Sequence, residues 1–196
     1  MSRNVLSKAI GVIVVLFAAF GGFLSGIAPP EEADAKFAVG LSSFLALIIL
    51  LAIAALAKKK HSREWIIAAC VLFVIAVPSA FLYWSNSVDY TFEYPPGSGR
   101  ADHVAGDQLT PEARAYKGIH TGLSNAQLLA RFGGLENMQK VWLPESIRTA
   151  RTKLIGSYLL MVLMIASALF ALTEGALGGG GVRAQGKARS RRSNIS

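Results

Sequence analysis

Two histidines, His103 and His120, share one polar stretch with Asp102, Asp107 and Glu112, residue types that bind metals or move protons. Their spacing matches none of the closely spaced ligand pairs that recur in metal sites, so solvated loop histidines are expected and no metal is predicted. Asp107 and Glu112 would suit an acid–base pair, but neither a nucleophile nor a pocket signature accompanies them. Leu24-Ser25-Gly26 has the small-residue setting of a membrane-embedded serine nucleophile, yet such a serine needs a general base within reach. The apolar runs of this chain contain no histidine or lysine. No P-loop, GxGxxG or HExxH motif occurs. The sequence therefore predicts no enzyme, no catalytic residue and no cofactor. Cys70, alone of its kind, cannot pair within the chain and is expected to pack as a small apolar residue.

The elements that would carry this chemistry are dominated by four runs free of Asp, Glu, Lys, Arg and His: Ala9–Ala28, Phe37–Ala57, Trp65–Trp84 and Leu154–Thr173. Each holds about twenty residues, enough for a helix to cross a hydrocarbon core of about 30 Å. Backbone groups there need internal partners, which makes helices the expected form. With 53% hydrophobic residues, the chain is too apolar for an ordinary soluble domain. The expected fold is an all-α membrane protein: a four-helix transmembrane bundle with a small, mostly helical extramembrane insertion between helices 3 and 4. The division is 1–84 for helices 1–3 with short loops, 85–153 for the insertion, 154–173 for helix 4, and 174–196 for a disordered basic tail. The first run also resembles a signal peptide, with Arg3 and Lys8 ahead of it and Ala33-Asp34-Ala35 as a cleavage site. Its apolar stretch, however, exceeds a usual h-region.

The net charge of +8 is concentrated at Arg3 and Lys8, at Lys58, Lys59, Lys60 and Arg63, and at Arg183, Lys187, Arg189, Arg191 and Arg192. No aromatic-interleaved platform accompanies it, so nucleic acid is not an expected partner. Orientation by positive charge and attraction to anionic lipid headgroups explain it instead, through Lys58, Lys59, Lys60, Arg63, Arg191 and Arg192. Both termini are then cytoplasmic, with the acidic loop from Pro29 to Lys36 and the segment 85–153 outside. The short basic loops fit a bacterial inner membrane. Arg148, Arg151 and Lys153 dissent, since they precede the last run on the outer side.

Within the insertion, Ser85–Tyr94 alternates Val88, Tyr90, Phe92 and Tyr94 with polar neighbours and reads as a strand. Thr110-Pro111-Glu112 opens a short helix to about Lys117. Ser124 with Gln127 makes a capping box, and Gly133-Gly134 a stop. A further short helix is expected over Leu135–Trp142. Pro144 starts a helix that continues into the last run, about 45 Å long by Thr173 and able to pass signal or force across the membrane. The tail after Glu174, with Gly178–Gly181 and a basic polar stretch, should be disordered.

Four features suggest how the chain packs and binds. Gly22 and Gly26 form a GxxxG, with Gly11 on a nearby face, a seam for helices in the bundle or for a second subunit. Pro78, with Ser79 beside it, should kink the third span. Trp65, Tyr83 and Trp84 form an interfacial aromatic belt. Tyr90, Phe92, Tyr94, Phe132 and Trp142, with Tyr116, Leu128 and Leu129, make either a small core or a partner-binding face anchored by aromatics. The function expected is that of a non-enzymatic membrane protein that senses, binds or scaffolds a partner through the outer segment, as a homo-oligomer or with another protein. The alternative is an oligomeric channel or membrane-permeabilising protein, with Ser42, Ser43, Ser157 and Ser167 as lining residues.

Overall fold

The computed structural model describes residues 28–56, 62–97 and 103–192, the side chains of 54–56, 62 and 177–192 excepted. Helix α1 is Glu32–Leu56 and α2 is Ser62–Tyr90. A two-residue strand β1 (Thr91–Phe92) pairs antiparallel with β2 (His103–Val104), Thr91 opposite Val104 and Phe92 opposite His103. Helices α3 (Pro111–Ile119) and α4 (Asn125–Arg131) follow, then a 3₁₀ turn (Leu135–Asn137), a single turn α5 (Met138–Val141), and α6 from Pro144 to Arg192. Among the described residues three helices, α1, α2 and α6, are long and apolar enough to cross a membrane. The run Ala9–Ala28, with Gly22 and Gly26, lies outside the described residues but for Ala28, as do Lys58, Lys59 and Lys60.

The described residues divide into two compact units, one drawn from Met1–Gly40 and Ser87–Ile155, the other from Leu41–Asn86 and Gly156–Ser196. The first contains a buried core of Phe92, Ala105, Ala113, Ala126, Leu128, Leu129, Val141 and Trp142. Tyr94, Leu109, Tyr116, Phe132, Met138 and Ile147 pack around it. The second consists of long apolar helical stretches with large exposed side chains, among them Phe44, Leu51, Val74, Val77, Phe81 and Trp84. Such exposure is unfavourable in water and neutral against lipid tails.

Local signals in the first unit act as their chemistry requires. Thr110 Oγ1 accepts a hydrogen bond from the Ala113 N–H (3.2 Å), with Pro111 at the first helical position. Ser124 and Gln127 close both halves of a capping box, at 3.2 and 3.0 Å. Gly133 (φ +93°) and Gly134 (φ +81°) adopt backbone angles that side chains resist, which ends α4 and lets the chain turn into the 3₁₀ segment.

Two stretches differ from the sequence expectation. The strand read over Ser85–Tyr94 shrinks to Thr91–Phe92, because α2 continues to Tyr90. Extending an existing helix fixes one residue per hydrogen bond, whereas a strand needs a partner along its length. Among the described residues only β2 pairs with it, and the Ala105 N–H closes the ladder on the Tyr90 carbonyl at 2.8 Å. The tail, expected to be disordered, is helical through Arg192. It propagates from a helix that is already nucleated, although each residue of Gly178–Gly181 weakens it by about 1 kcal/mol relative to alanine.

Candidate functional site

The sequence elements converge on the first unit, where a short two-segment stitch organises the fold. The Thr110 N–H donates to the Val141 carbonyl (2.9 Å) and the Leu143 N–H to the Gln108 carbonyl (3.0 Å), around a bridge between Leu109 and Trp142. Thr110 Oγ1 donates in turn to the Lys140 carbonyl at 2.5 Å. Gly106 passes so close to the start of α6 that an added Cβ would lie 2.0 Å from Ser146 Oγ and 3.0 Å from Trp142 Cβ. Ser146 Oγ, itself buried, donates to the Leu143 carbonyl at 2.9 Å. The first turns of α6 are thus built into the folded segment, with Ile147 against its core and Ala150 buried.

The aromatic residues offered by the sequence as either core or binding face fall mainly into the core. Trp142 is 1% exposed and Phe92 8%, with ring centroids 5.4 Å apart. Tyr94 and Phe132 pack against this cluster, and Tyr116 meets Phe132 edge-on at 5.8 Å. Side chains held this way stabilise the unit and present little surface to a partner. Tyr90 differs. It is half-buried and accepts a 2.7 Å hydrogen bond from Lys153 Nζ, which also lies 4.9 Å from its ring centroid.

Lys153 belongs to a charged group at the entry of α6 into its apolar stretch. Its Nζ is 3.8 Å from Asp107. Arg151 donates from Nη2 to Glu31 and places Nε 3.7 Å from Asp34, just ahead of and inside the first turn of α1. The acidic first loop and the folded segment therefore belong to one unit, joined by ion pairs. Two of the three cations that conflicted with a charge-based orientation, Arg151 and Lys153, are matched locally by carboxylates; Arg148 is exposed. Sequence reasoning missed this pairing. Its only linear signal is the acidic character of Glu31, Glu32 and Asp34, over a hundred residues before Arg151.

No family model, curated protein or solved structure matches the chain.

His103 and His120 each lie against aromatic rings. His103 lies 5.9 Å from Phe92 and 6.4 Å from Tyr94 by centroid, and His120 stacks on Tyr116 at 4.3 Å. Among the described residues, no group of three or more His, Cys, Asp or Glu side chains is placed to hold a metal ion.

In the second unit the polar side chains meet one another. Ser42 of α1 is fully buried and hydrogen-bonded with the Tyr158 hydroxyl of α6. Tyr158 meets Tyr83 of α2 edge-on at 5.5 Å, and Asn86 Nδ2 donates to Ser157 Oγ at 3.1 Å. The sequence reading assigned Ser42 and Ser157 to a pore wall and Tyr83 to the aromatic belt, and gave Asn86 no role. Here they join three helices, and a buried hydroxyl or amide in such a setting requires a partner. Ser167 is also buried, at 9% exposure, and Ser43 half-buried. Trp84, 61% exposed, keeps the outward position that a belt residue needs, and Trp65 is half-buried. Cys70, expected to pack, is exposed. Pro78 lies inside α2, which deprives the Val74 carbonyl of its usual donor. Ser79 Oγ donates to the next carbonyl along, that of Ile75, at 2.8 Å, and leaves the Val74 carbonyl as it is. Arg63 is exposed at the start of α2, and Arg191 and Arg192 end the described part of α6.

Proposed function

We propose that the chain is a non-enzymatic integral membrane protein that binds or scaffolds a partner through its folded segment, which lies outside the cytoplasm. The observation that carries this reading is the construction of α6. Its first turns are part of the segment's core, and the same unbroken helix continues to Arg192. A segment displaced by a partner would therefore act directly on a membrane helix. The run Ala9–Ala28 supplies the fourth span of a bundle in a bacterial inner membrane, with both termini cytoplasmic and the basic loop and tail against anionic lipid. The GxxxG of Gly22 and Gly26 favours a homo-oligomer. Internal pairing of Arg151 and Lys153 supports the orientation, because compensated cations oppose translocation less than free ones.

The competing pore reading is weakened by the burial of Ser42, Ser157 and Ser167. A pore formed between subunits would be lined from the outer surface of each subunit, where these side chains are not. Two measurements separate the readings. Co-purification from native membranes in mild detergent should recover a stoichiometric partner with the wild-type chain and markedly less of it with W142A, which destabilises the segment's core. Ion flux from the purified protein in liposomes, with no co-purifying protein, would replace this proposal with the pore. Thiol labelling of single cysteines at 33 and 121, in a Cys70→Ser background, should occur from the extracytoplasmic side only. Labelling from the cytoplasmic side would reverse the orientation.

A further inference from the structure

One turn of α6 carries the charges that tie it to three other parts of the first unit. Lys153 reaches Tyr90 at the end of α2 and Asp107 in the loop after β2. Arg151 reaches Glu31 and Asp34 at the start of α1. These contacts differ in one respect. Arg151 satisfies its Nη2 on Glu31, but its Nε is a buried nitrogen without a hydrogen bond, and the nearest carboxylate oxygen, on Asp34, is 3.7 Å away. Charge-assisted N–H···O bonds form at about 2.8 Å. A shift of about 1 Å between the start of α1 and this turn of α6 would bring Asp34 into hydrogen-bonding range and engage both edges of the guanidinium.

We propose that Arg151 is a two-setting clamp between the start of α1 and the first turns of α6: open at Asp34 as it stands, and closed when the first turn of α1 shifts by about one ångström. The planar fork makes this possible, because its two edges address two carboxylates at once, which an ammonium group on a flexible stem does not reproduce. Glu31 and Asp34 suit the role because they are three residues apart where the chain enters a helix, so both face the same side. The closed setting removes a buried unpaired donor, so there is a gain to offset the movement. Through the first turns of α6 the clamp ties the folded segment to the start of α1 within the first unit, and it operates whether or not the segment has a partner.

Amide hydrogen exchange on the full-length protein in lipid nanodiscs tests the clamp. The reporter amides are Ala35–Val39, in the first hydrogen-bonded turns of α1, and the reference amides are Leu128 and Leu129 in the core. R151M should raise exchange at the reporter by about fivefold, the scale of a partly exposed ion pair, and leave the reference unchanged. The double variant E31Q/D34N should match it, and adding R151M should produce no further rise. R151K, which keeps the charge without the fork, should behave like R151M. Wild-type exchange in R151M, equal acceleration of the reference amides, or additive effects of the two sides would overturn the clamp. Wild-type exchange in R151K would reduce Arg151 to a simple charge and overturn its two settings.

Discussion

Trp142 and Trp84 are the same residue type in opposite situations, so a paired substitution tests how the first unit is held together. Trp142 is 1% exposed and lies 5.4 Å from the Phe92 ring, with its backbone in the bridge to Leu109. Truncating a fully buried tryptophan to alanine costs about 3–5 kcal/mol, from lost transfer energy and the cavity left behind. The unit is small, and stability of about 0.05–0.15 kcal/mol per residue would give some seventy residues only about 4–10 kcal/mol. W142A should therefore remove a large part of its stability and accelerate exchange of the core amides in α3 and α4 by about 10²–10⁴-fold. Trp84 is 61% exposed, so W84A should change the same amides by less than about threefold. Exchange in the apolar stretches of α1 and α2 should stay at wild-type rates in both variants, since their backbone bonds are satisfied within each helix. Segment-resolved exchange by mass spectrometry in nanodiscs reads all of this at once. Unchanged core protection in W142A, or equal effects of the two substitutions, would refute the assignment of Trp142 to the core.

Gly106→Ala should destabilise the folded segment by about 1–3 kcal/mol, because its Cβ would meet Ser146 Oγ at 2.0 Å. Combining it with Ser146→Ala should restore part of that loss, with Trp142 Cβ at 3.0 Å limiting the recovery; thermal unfolding of the detergent-solubilised protein reads both. Ser124→Ala breaks the capping box and should lower stability by about 1 kcal/mol, seen as selective loss of protection in α4. In the second unit, Ser42→Ala and Tyr158→Phe should each lower resistance to unfolding in denaturing detergent by about 0.6–1.7 kcal/mol. The double variant should fall short of their sum, because both remove one hydrogen bond.

Much of this protein is legible along the chain because the responsible forces act over a few residues. Uncharged runs announce membrane helices through the hydrocarbon's demand for internally satisfied backbone, and three of them, lengthened at their ends, are α1, α2 and α6. Thr110-Pro111, Ser124 with Gln127, and Gly133-Gly134 fix helix ends through bonds spanning three residues or a single backbone angle, and each acts where its residues predict. The strand over Ser85–Tyr94 failed for the complementary reason. Alternation shows which side chains share a face, but a strand exists only where a distant partner meets it, and β2 meets only Thr91 and Phe92.

The choice between core and partner face for the aromatic residues was equally beyond the linear pattern. Phe92 and Trp142 are fifty residues apart, and burial follows from which surfaces meet. The same holds for the polar groups. Ser42, Tyr83, Asn86, Ser157 and Tyr158 come from three helices, and each is tolerated among apolar side chains because another lies beside it. Arg151 shows the difference most plainly. Its charge and its place before an apolar run are read directly from the sequence. Its role depends on Glu31 and Asp34 arriving within reach, and Coulomb attraction depends on separation in space rather than along the chain.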